Sequence, residues 1–260
     1  MDVIALQSGS NGNCFYVEID DVRLLFDAGI SGRTARERLA AHGREIDQVD
    51  ALFISHDHHD HSRCLGAFHR MFDIPVYATQ KTLAAAQRVV NLGRLDDVRL
   101  FNSGQTVQIK DVVIHTIPTP HDSVDGVAFV VEAAEQRLGI LTDLGHVFDG
   151  LRDLLLSLDA VIIESNYDRQ MLARGPYPER LKQRIRGPGG HLSNDEAADV
   201  VARAAYFRRL QWACLCHLSE ENNTPELALK THRAHTGPTL PLHIAGRHAA
   251  SDVLRMELNP

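Results

Sequence analysis

Seven consecutive residues, Ser55-His56-Asp57-His58-His59-Asp60-His61, constrain this chain more than any other stretch. They follow the apolar run Ala51-Leu52-Phe53-Ile54, which reads as a buried strand. Neutral imidazole and carboxylate together are the donors that a transition metal takes. In an extended loop alternate residues point the same way, so His56 and His58 address one point. Asp60 and His61, at the turn into the next helix, address a second. Two ions about 3.5–4 Å apart form a clamp suited to hydrolysis. The alternatives are a solvated histidine-rich loop or a single-ion site. Three further histidines and acids at strand ends argue against both: His121 in TPHDS, Asp143 in LTDLG and His217 in LCHLS.

Strand and helix patterns alternate along the whole chain, with no linker and no internal repeat. Strands are expected at 2–7, 14–19, 22–27, 51–55, 74–79, 105–117, 124–133, 137–143, 160–164, 211–216 and 240–245. Helices are expected at 31–42, 62–72, 81–91, 146–158, 193–205 and 220–235. Residues 166–190 read as irregular, and the closing 15 as polar chain that frays or pairs. Ser193 and Glu196 form a capping-box pair at the start of the 193–205 helix. The implied architecture is layered α/β, one domain over 1–260. Its apolar strands recurrently end in a loop carrying an acid or a histidine: Asp27, His56, His121, Asp143, Glu164 and His217.

Composition narrows the function. Apolar residues make up 44% of 260, enough to build a core, which excludes a disordered chain. No apolar run approaches the ~18 residues of a membrane helix. The start, MDVIALQSGSNGN, has no signal-peptide pattern, and four cysteines make no disulfide framework. The expected location is the cytoplasm, with reduced thiols and no membrane partner. A net charge of −7 excludes a chain-wide basic field. Residues 166–191 depart from it: six cations (Arg169, Arg174, Arg180, Lys182, Arg184, Arg186) face only Asp168 and Glu179. That local excess suits a polyanion, and it leads directly to His191 in the Gly-rich stretch GPGGHLS.

With these residues in view, the chain resembles the metallo-β-lactamase superfamily. Within it, the chain is similar to the WalJ/YycJ-type bacterial DNA exonucleases. The resemblance rests on SGSNGNCFYVE, LLFDAGIS, ISHDHHDH, ESNYD, YPERLKQRIRGPGGHLSN and HLSEENNTPELA, spread from residue 7 to about 228. It implies an αββα four-layer sandwich and two divalent ions, zinc or manganese, with iron a further candidate. The implied ligands are His56, His58 and His121 for one ion and Asp60, His61 and His217 for the other. Asp143 bridges them, and Asp27 orients a ligand from behind. The implied catalytic group is His191, Asp60 and Glu164, with His191 protonating the leaving oxygen of a phosphodiester.

Arg180, Lys182, Arg184, Arg186 and Asn13 are the expected contacts to substrate phosphates. The substrate implied is nucleic acid, DNA by resemblance, digested 5′ to 3′ in repair or processing. The alternatives are a PhnP-like cyclic or small-molecule phosphodiesterase, an RNA-processing nuclease, and a glyoxalase II-type thioesterase. The 47 residues between Asp143 and His191 leave no room for a β-CASP insertion. The Gly-Pro-Gly-Gly insertion before His191 departs from the family pattern and bears on the reach of that loop.

Overall fold

The computed structural model describes residues 1–207 and 209–257. The chain divides into two compact units, each assembled from separated segments. One comprises Met1–Pro118, Ser123–Val127 and Ala245–Pro260; the other comprises Thr119–Asp122 and Ala128–Ile244.

The first unit holds β1 (Asp2–Gln7), β2 (Cys14–Ile19), β3 (Val22–Phe26), β4 (Ala51–Phe53), β5 (Val76–Thr79), β6 (Val98–Phe101) and β14 (Leu254–Arg255). They form a sheet in the order β14-β1-β2-β3-β4-β5-β6. Its β1–β3 half is antiparallel, with β14 antiparallel to β1, and β3 to β6 run parallel. Rings stack across the parallel strands: Phe26 on Phe53 at 5.5 Å and Phe53 on Tyr77 at 4.7 Å. These cross-strand pairs resist register slip. Helices α1 (Gly32–Ala41), α2 (His59–Ser62), α3 (Leu65–Phe72) and α4 (Gln80–Val89) complete the unit, with the hairpin of β7 (Thr106–Ile109) and β8 (Val112–Pro118). Leu39, Leu52, Ile54, Phe68 and Val76 are part of its buried core.

The second unit carries β9 (Val127–Ala133), β10 (Gln136–Leu141), β11 (Ala160–Glu164), β12 (Trp212–Cys216) and β13 (Leu242–Ile244) in the order β13-β12-β11-β10-β9. The β9–β10 pair is antiparallel and the rest run parallel. Its helices are α5 (Leu151–Leu156), α6 (Arg169–Arg174), α7 (Glu179–Arg186), α8 (Asn194–Tyr206) and α9 (Pro225–Thr236). Leu151 and Leu155 of α5, and Ala197 and Val201 of α8, are buried.

Several expectations need correction. The long strand over 105–117 is a hairpin, turned at Lys110 with φ 50°; a left-handed lysine gives no sequence cue. Strand β6 was not expected, because Arg99 and Leu100 are exposed on an edge strand and carry no buried alternation. The helix expected at 62–72 starts at Leu65, as α3, and the short α2 over His59–Ser62 precedes it. The 146–158 helix shrinks to α5, since Gly145 and Gly150 have φ of 74° and 88° and keep 145–150 irregular. Residues 166–190 are not irregular throughout: they hold α6 and α7. The capping box at Ser193 and Glu196 is present. None of the four cysteines forms a disulfide. Among the described residues no helix is long and apolar enough to cross a membrane.

Candidate functional site

Parallel pairing explains why the chemistry collects at strand ends. Phe26 of β3 pairs with Phe53 of β4, so the residues after both strands emerge at one edge. Asp27 leaves β3 with φ 64° and donates its N–H to the Phe53 carbonyl (2.8 Å). Aspartate tolerates this left-handed backbone better than most residues. Its buried carboxylate then becomes a hub: Oδ1 accepts from Ser55 N (2.8 Å), and Oδ2 accepts from Ser55 Oγ (2.9 Å) and His61 Nδ1 (2.7 Å).

With its one proton on Asp27, Ser55 Oγ accepts from His56 Nδ1 (2.9 Å). Asp27 therefore sets two imidazoles at once, His61 directly and His56 through Ser55. In both rings Nδ1 carries the proton, and Nε2 is the nitrogen that can ligate. The His56 ring centroid lies 4.7 Å from that of His58 and 4.1 Å from that of His61. Asp60, half-buried on α2, lies 3.5 Å from His61 Nε2.

The glycine loop at 8–13 supports this cluster from behind. Asn13 is fully buried; its Nδ2 lies 3.2 Å from Asp60 Oδ2 and 3.0 Å from His61 Nε2, and its N–H donates to the Asp60 carbonyl (2.7 Å). Its Oδ1 accepts from Ser8 Oγ (3.0 Å) and Gly9 N (2.9 Å). The expectation that Asn13 meets substrate phosphate is thus corrected: its amide is spent inside the protein. Gly29 is required by contact, because a Cβ there would sit 1.7 Å from the Asp60 carbonyl oxygen.

In the second unit Glu164 of β11 pairs with Cys216 of β12, and Leu141 of β10 with Ile163. Asp143, Glu164 and His217 consequently share one edge. Asp143 and His217 have φ of 53° and 52°, a left-handed backbone that costs on the order of 1–3 kcal/mol at a non-glycine residue and is concentrated at functional positions. Asp143, Glu164, His191 and His217 each place one ligand-type atom within 4.8 Å of the other three. Asp143 Oδ1 is 3.5 Å from His121 Nε2, 3.5 Å from His191 Nδ1 and 3.6 Å from His217 Nε2.

The orienting partners are specific. His121 Nδ1 donates to the Gly190 carbonyl (2.9 Å), which turns Nε2 toward Asp143. His191 Nδ1 donates to Glu164 Oε2 (3.0 Å). The other oxygen of this fully buried carboxylate accepts from Leu144 N (2.7 Å) and Leu192 N (3.2 Å). Glu164 is therefore a positioning group with no surface for substrate, whereas the His191 side chain keeps 19% of its surface. Asn166 Nδ2 donates to the His217 carbonyl (2.8 Å).

The Gly-Pro-Gly-Gly stretch over 187–190 is held at three carbonyls. Pro188 accepts from His146 Nδ1 (2.7 Å), Gly189 from Asp122 N (3.0 Å), and Gly190 from His121. The loop that delivers His191 is braced.

The basic segment looks different in three dimensions. Lys182 is buried and its Nζ donates to the Ala173 carbonyl at the end of α6 (2.8 Å), so its expected phosphate contact is corrected. Arg184 holds Asp122 (2.6 Å), which raises the arginine's pKa, and Arg186 holds Glu179 (2.7 Å). Arg174 and Arg180 are exposed and make no ion pair among the described residues.

Sequence reasoning assigned no role to Ser55, Asn166 or His146. Serine and asparagine carry no metal-spacing signal; His146 did stand beside the Asp143 loop. His69 and His232 are core histidines. His69 donates to the Ile74 carbonyl (2.9 Å), and His232 lies 3.2 Å from Ser165 Oγ.

The donor chemistry fits divalent metal. Each unit presents imidazole nitrogens whose other ring nitrogen is held, together with carboxylate oxygen, a set matched to zinc, manganese or iron. Residues 8–186 match the model of the metallo-beta-lactamase superfamily. The chain is 36% identical over 228 residues to exodeoxyribonuclease WalJ of Streptococcus pneumoniae, covering 87% of this chain and 84% of that one. It is 33% identical over 223 residues to exodeoxyribonuclease YycJ of Bacillus anthracis, covering 86% and 84%. The metallo-beta-lactamase fold protein YhfI from Bacillus subtilis superposes with a TM-score of 0.72 at 15% identity, over 96% of this chain and 98% of that one. The expected fold class therefore holds.

Proposed function

The chain belongs to the metallo-beta-lactamase superfamily, in the group of the WalJ and YycJ exodeoxyribonucleases, and from that premise we propose that it is a metal-dependent exodeoxyribonuclease of the cytoplasm. The similarity to two exodeoxyribonucleases over most of both chains supports DNA as substrate. By the same resemblance, digestion runs 5′ to 3′. The single observation that carries phosphodiester chemistry is the His191–Glu164 couple beside Asp143.

His56, His58, Asp60 and His61 of the first unit and His121, Asp143 and His217 of the second are the residues that would hold divalent metal. The assignment follows the family's order of motifs; zinc and manganese are the favoured metals. When bound, the metal pair supplies acidified water at neutral pH and neutralises charge on the phosphoryl oxygens. The chain's own groups do the rest. Asp27, Ser55 and the Gly190 carbonyl hold the ligating imidazoles in one tautomer and one orientation. Glu164 keeps the proton of His191 on Nδ1, so Nε2, once protonated, delivers a proton to the departing oxygen. Arg180 on α7 meets the strand's phosphates, with Arg184 and Arg186 exchanging their carboxylate partners for phosphate oxygens.

End-labelled single- and double-stranded DNA and RNA, incubated with zinc- or manganese-loaded protein, test the reading. Progressive shortening of DNA from one end is expected; inactivity on every polymer together with hydrolysis of a small diester would overturn it. His191→Ala is expected to keep its metal content while losing on the order of 10²–10⁴ in rate. A variant that loses metal would make His191 a ligand instead.

A further inference from the structure

Asn194 in HLSN and Asn223 in EENN belong to no metal-donor set and to no proton-transfer role, yet both are buried in the second unit. Their side-chain amides face each other. Asn223 Nδ2 donates to Asn194 Oδ1 (2.8 Å), and Asn194 Nδ2 donates to Asn223 Oδ1 (2.9 Å). The orientation of the pair is fixed from outside it. Asn223 Nδ2 also reaches the carbonyls of Ser165 (2.8 Å) and Asn166 (3.2 Å), which can only accept. Asn223 Oδ1 also takes the N–H of Thr224 (3.0 Å), which can only donate. Asn194 Oδ1 accepts in addition from the buried Ser165 Oγ (2.6 Å).

The segment this pair grips, 165–167 at the exit of β11, lies between the loops that deliver two histidines. On one side Asn166 N donates to the Leu192 carbonyl (3.0 Å) and Asn194 N to the Tyr167 carbonyl (2.8 Å), which ties the segment to the residues just after His191. On the other side Asn166 Nδ2 donates to the His217 carbonyl (2.8 Å), and the Asn166 carbonyl accepts from Ser219 N (2.8 Å). The two imidazoles so served are stacked, with centroids 5.1 Å apart and planes 27° apart. An apolar pair of the same shape would fill the space without desolvating two amides. What the amides add is direction, because each bond holds at one angle and one register.

We propose that Asn223, through its amide pair with Asn194, is a positioning residue that fixes His191 against His217. The inference rests on the exonuclease reading and deepens it. The proton donor is set relative to a metal-holding histidine by one buried clamp, and neither asparagine touches substrate.

The test compares zinc- or manganese-loaded wild type, Asn223→Ala and Asn194→Ala on two substrates that differ in what leaves. A short oligothymidylate releases an alkoxide, which needs a proton; the p-nitrophenyl ester of thymidine 5′-phosphate releases a phenolate, which departs without one. Both variants are expected to lose roughly ten- to hundredfold in kcat on the oligothymidylate relative to the ester, with KM near the wild-type value, since a misplacement of about 1 Å costs that much. Zinc affinity, read by competition with a chromophoric chelator, is expected to fall about tenfold as the support of His217 loosens. A mere scaffold would lower the Tm of the metal-free chain and cut both substrates alike, with zinc affinity unchanged; that result overturns the proposal. So does failure of both variants to fold. Wild-type protein that cleaves the ester but no oligothymidylate overturns the exonuclease reading instead, and the zinc measurement then decides the clamp by itself.

Discussion

At the scale of single residues, Asp27 bears more of the first unit's site than its burial alone conveys. One carboxylate sets the tautomer of His61 directly and of His56 through Ser55. Asp27→Asn keeps the shape and tolerates the same left-handed backbone, but removes one acceptor and the charge. Metal affinity is expected to fall 10–100-fold, read by competition with a chromophoric chelator. His232 offers a second test. Burial, with a smaller contribution from His235, pushes its pKa down to about 3, while the unfolded chain titrates near 6.5. Between those values the unfolded state binds a proton that the folded state refuses, so stability is lost as pH falls from about 6.5 toward 3. The slope is about 1.4 kcal/mol per pH unit for one proton. His232→Gln should show a shallower loss than wild type in urea midpoints measured at pH 7, 5.5 and 4.5. Parallel curves would mean that His232 is not the group refusing the proton.

At the scale of elements, α7 shows how a basic segment divides its labour. The sequence presents Arg180, Lys182, Arg184 and Arg186 as equivalent, but helical geometry turns Lys182 inward onto the Ala173 carbonyl and leaves Arg180 outward. Lys182→Met keeps the apolar stem and loses the hydrogen bond. It should destabilise by about 1 kcal/mol, a melting shift of roughly 2–4 °C, with no change in the salt dependence of DNA binding. Arg180→Ala should do the reverse, leaving Tm alone and flattening the log Kd against log salt slope by about 0.7 on single strands. Matching effects from the two variants would show that α7 shapes the site instead of gripping a polymer.

At the scale of the whole molecule, the chain passes between its two units four times, so neither is a contiguous stretch. The first unit is completed only by the C-terminal segment: β14 pairs with β1, Ser8 N donates to the Gly246 carbonyl (3.0 Å), and Ala5 N donates to Ser251 Oγ (3.0 Å). We propose that the chain folds as one domain, with a single calorimetric transition. A chain ending at Ile244 loses buried Leu254 and Met256, each contributing about 1.5–3 kcal/mol, and should melt well below wild type. Two separate transitions in the full chain would refute the single-domain reading. Much of this was legible beforehand. The apolar strands and the acids and histidines after them are local patterns, and period and spacing suffice to find them. The sequence by itself determined the donor types, their order along the chain and the family they resemble. Only the tertiary structure decided the direction in which each side chain acts. It buried Asn13 and Lys182, made Glu164 a support for His191, placed Ser55 between Asp27 and His56, and left Tyr206 and Phe207 in solvent. The physical reason is that a residue's chemistry belongs to its side chain, while burial and hydrogen-bond partners are set by chain segments far away in sequence.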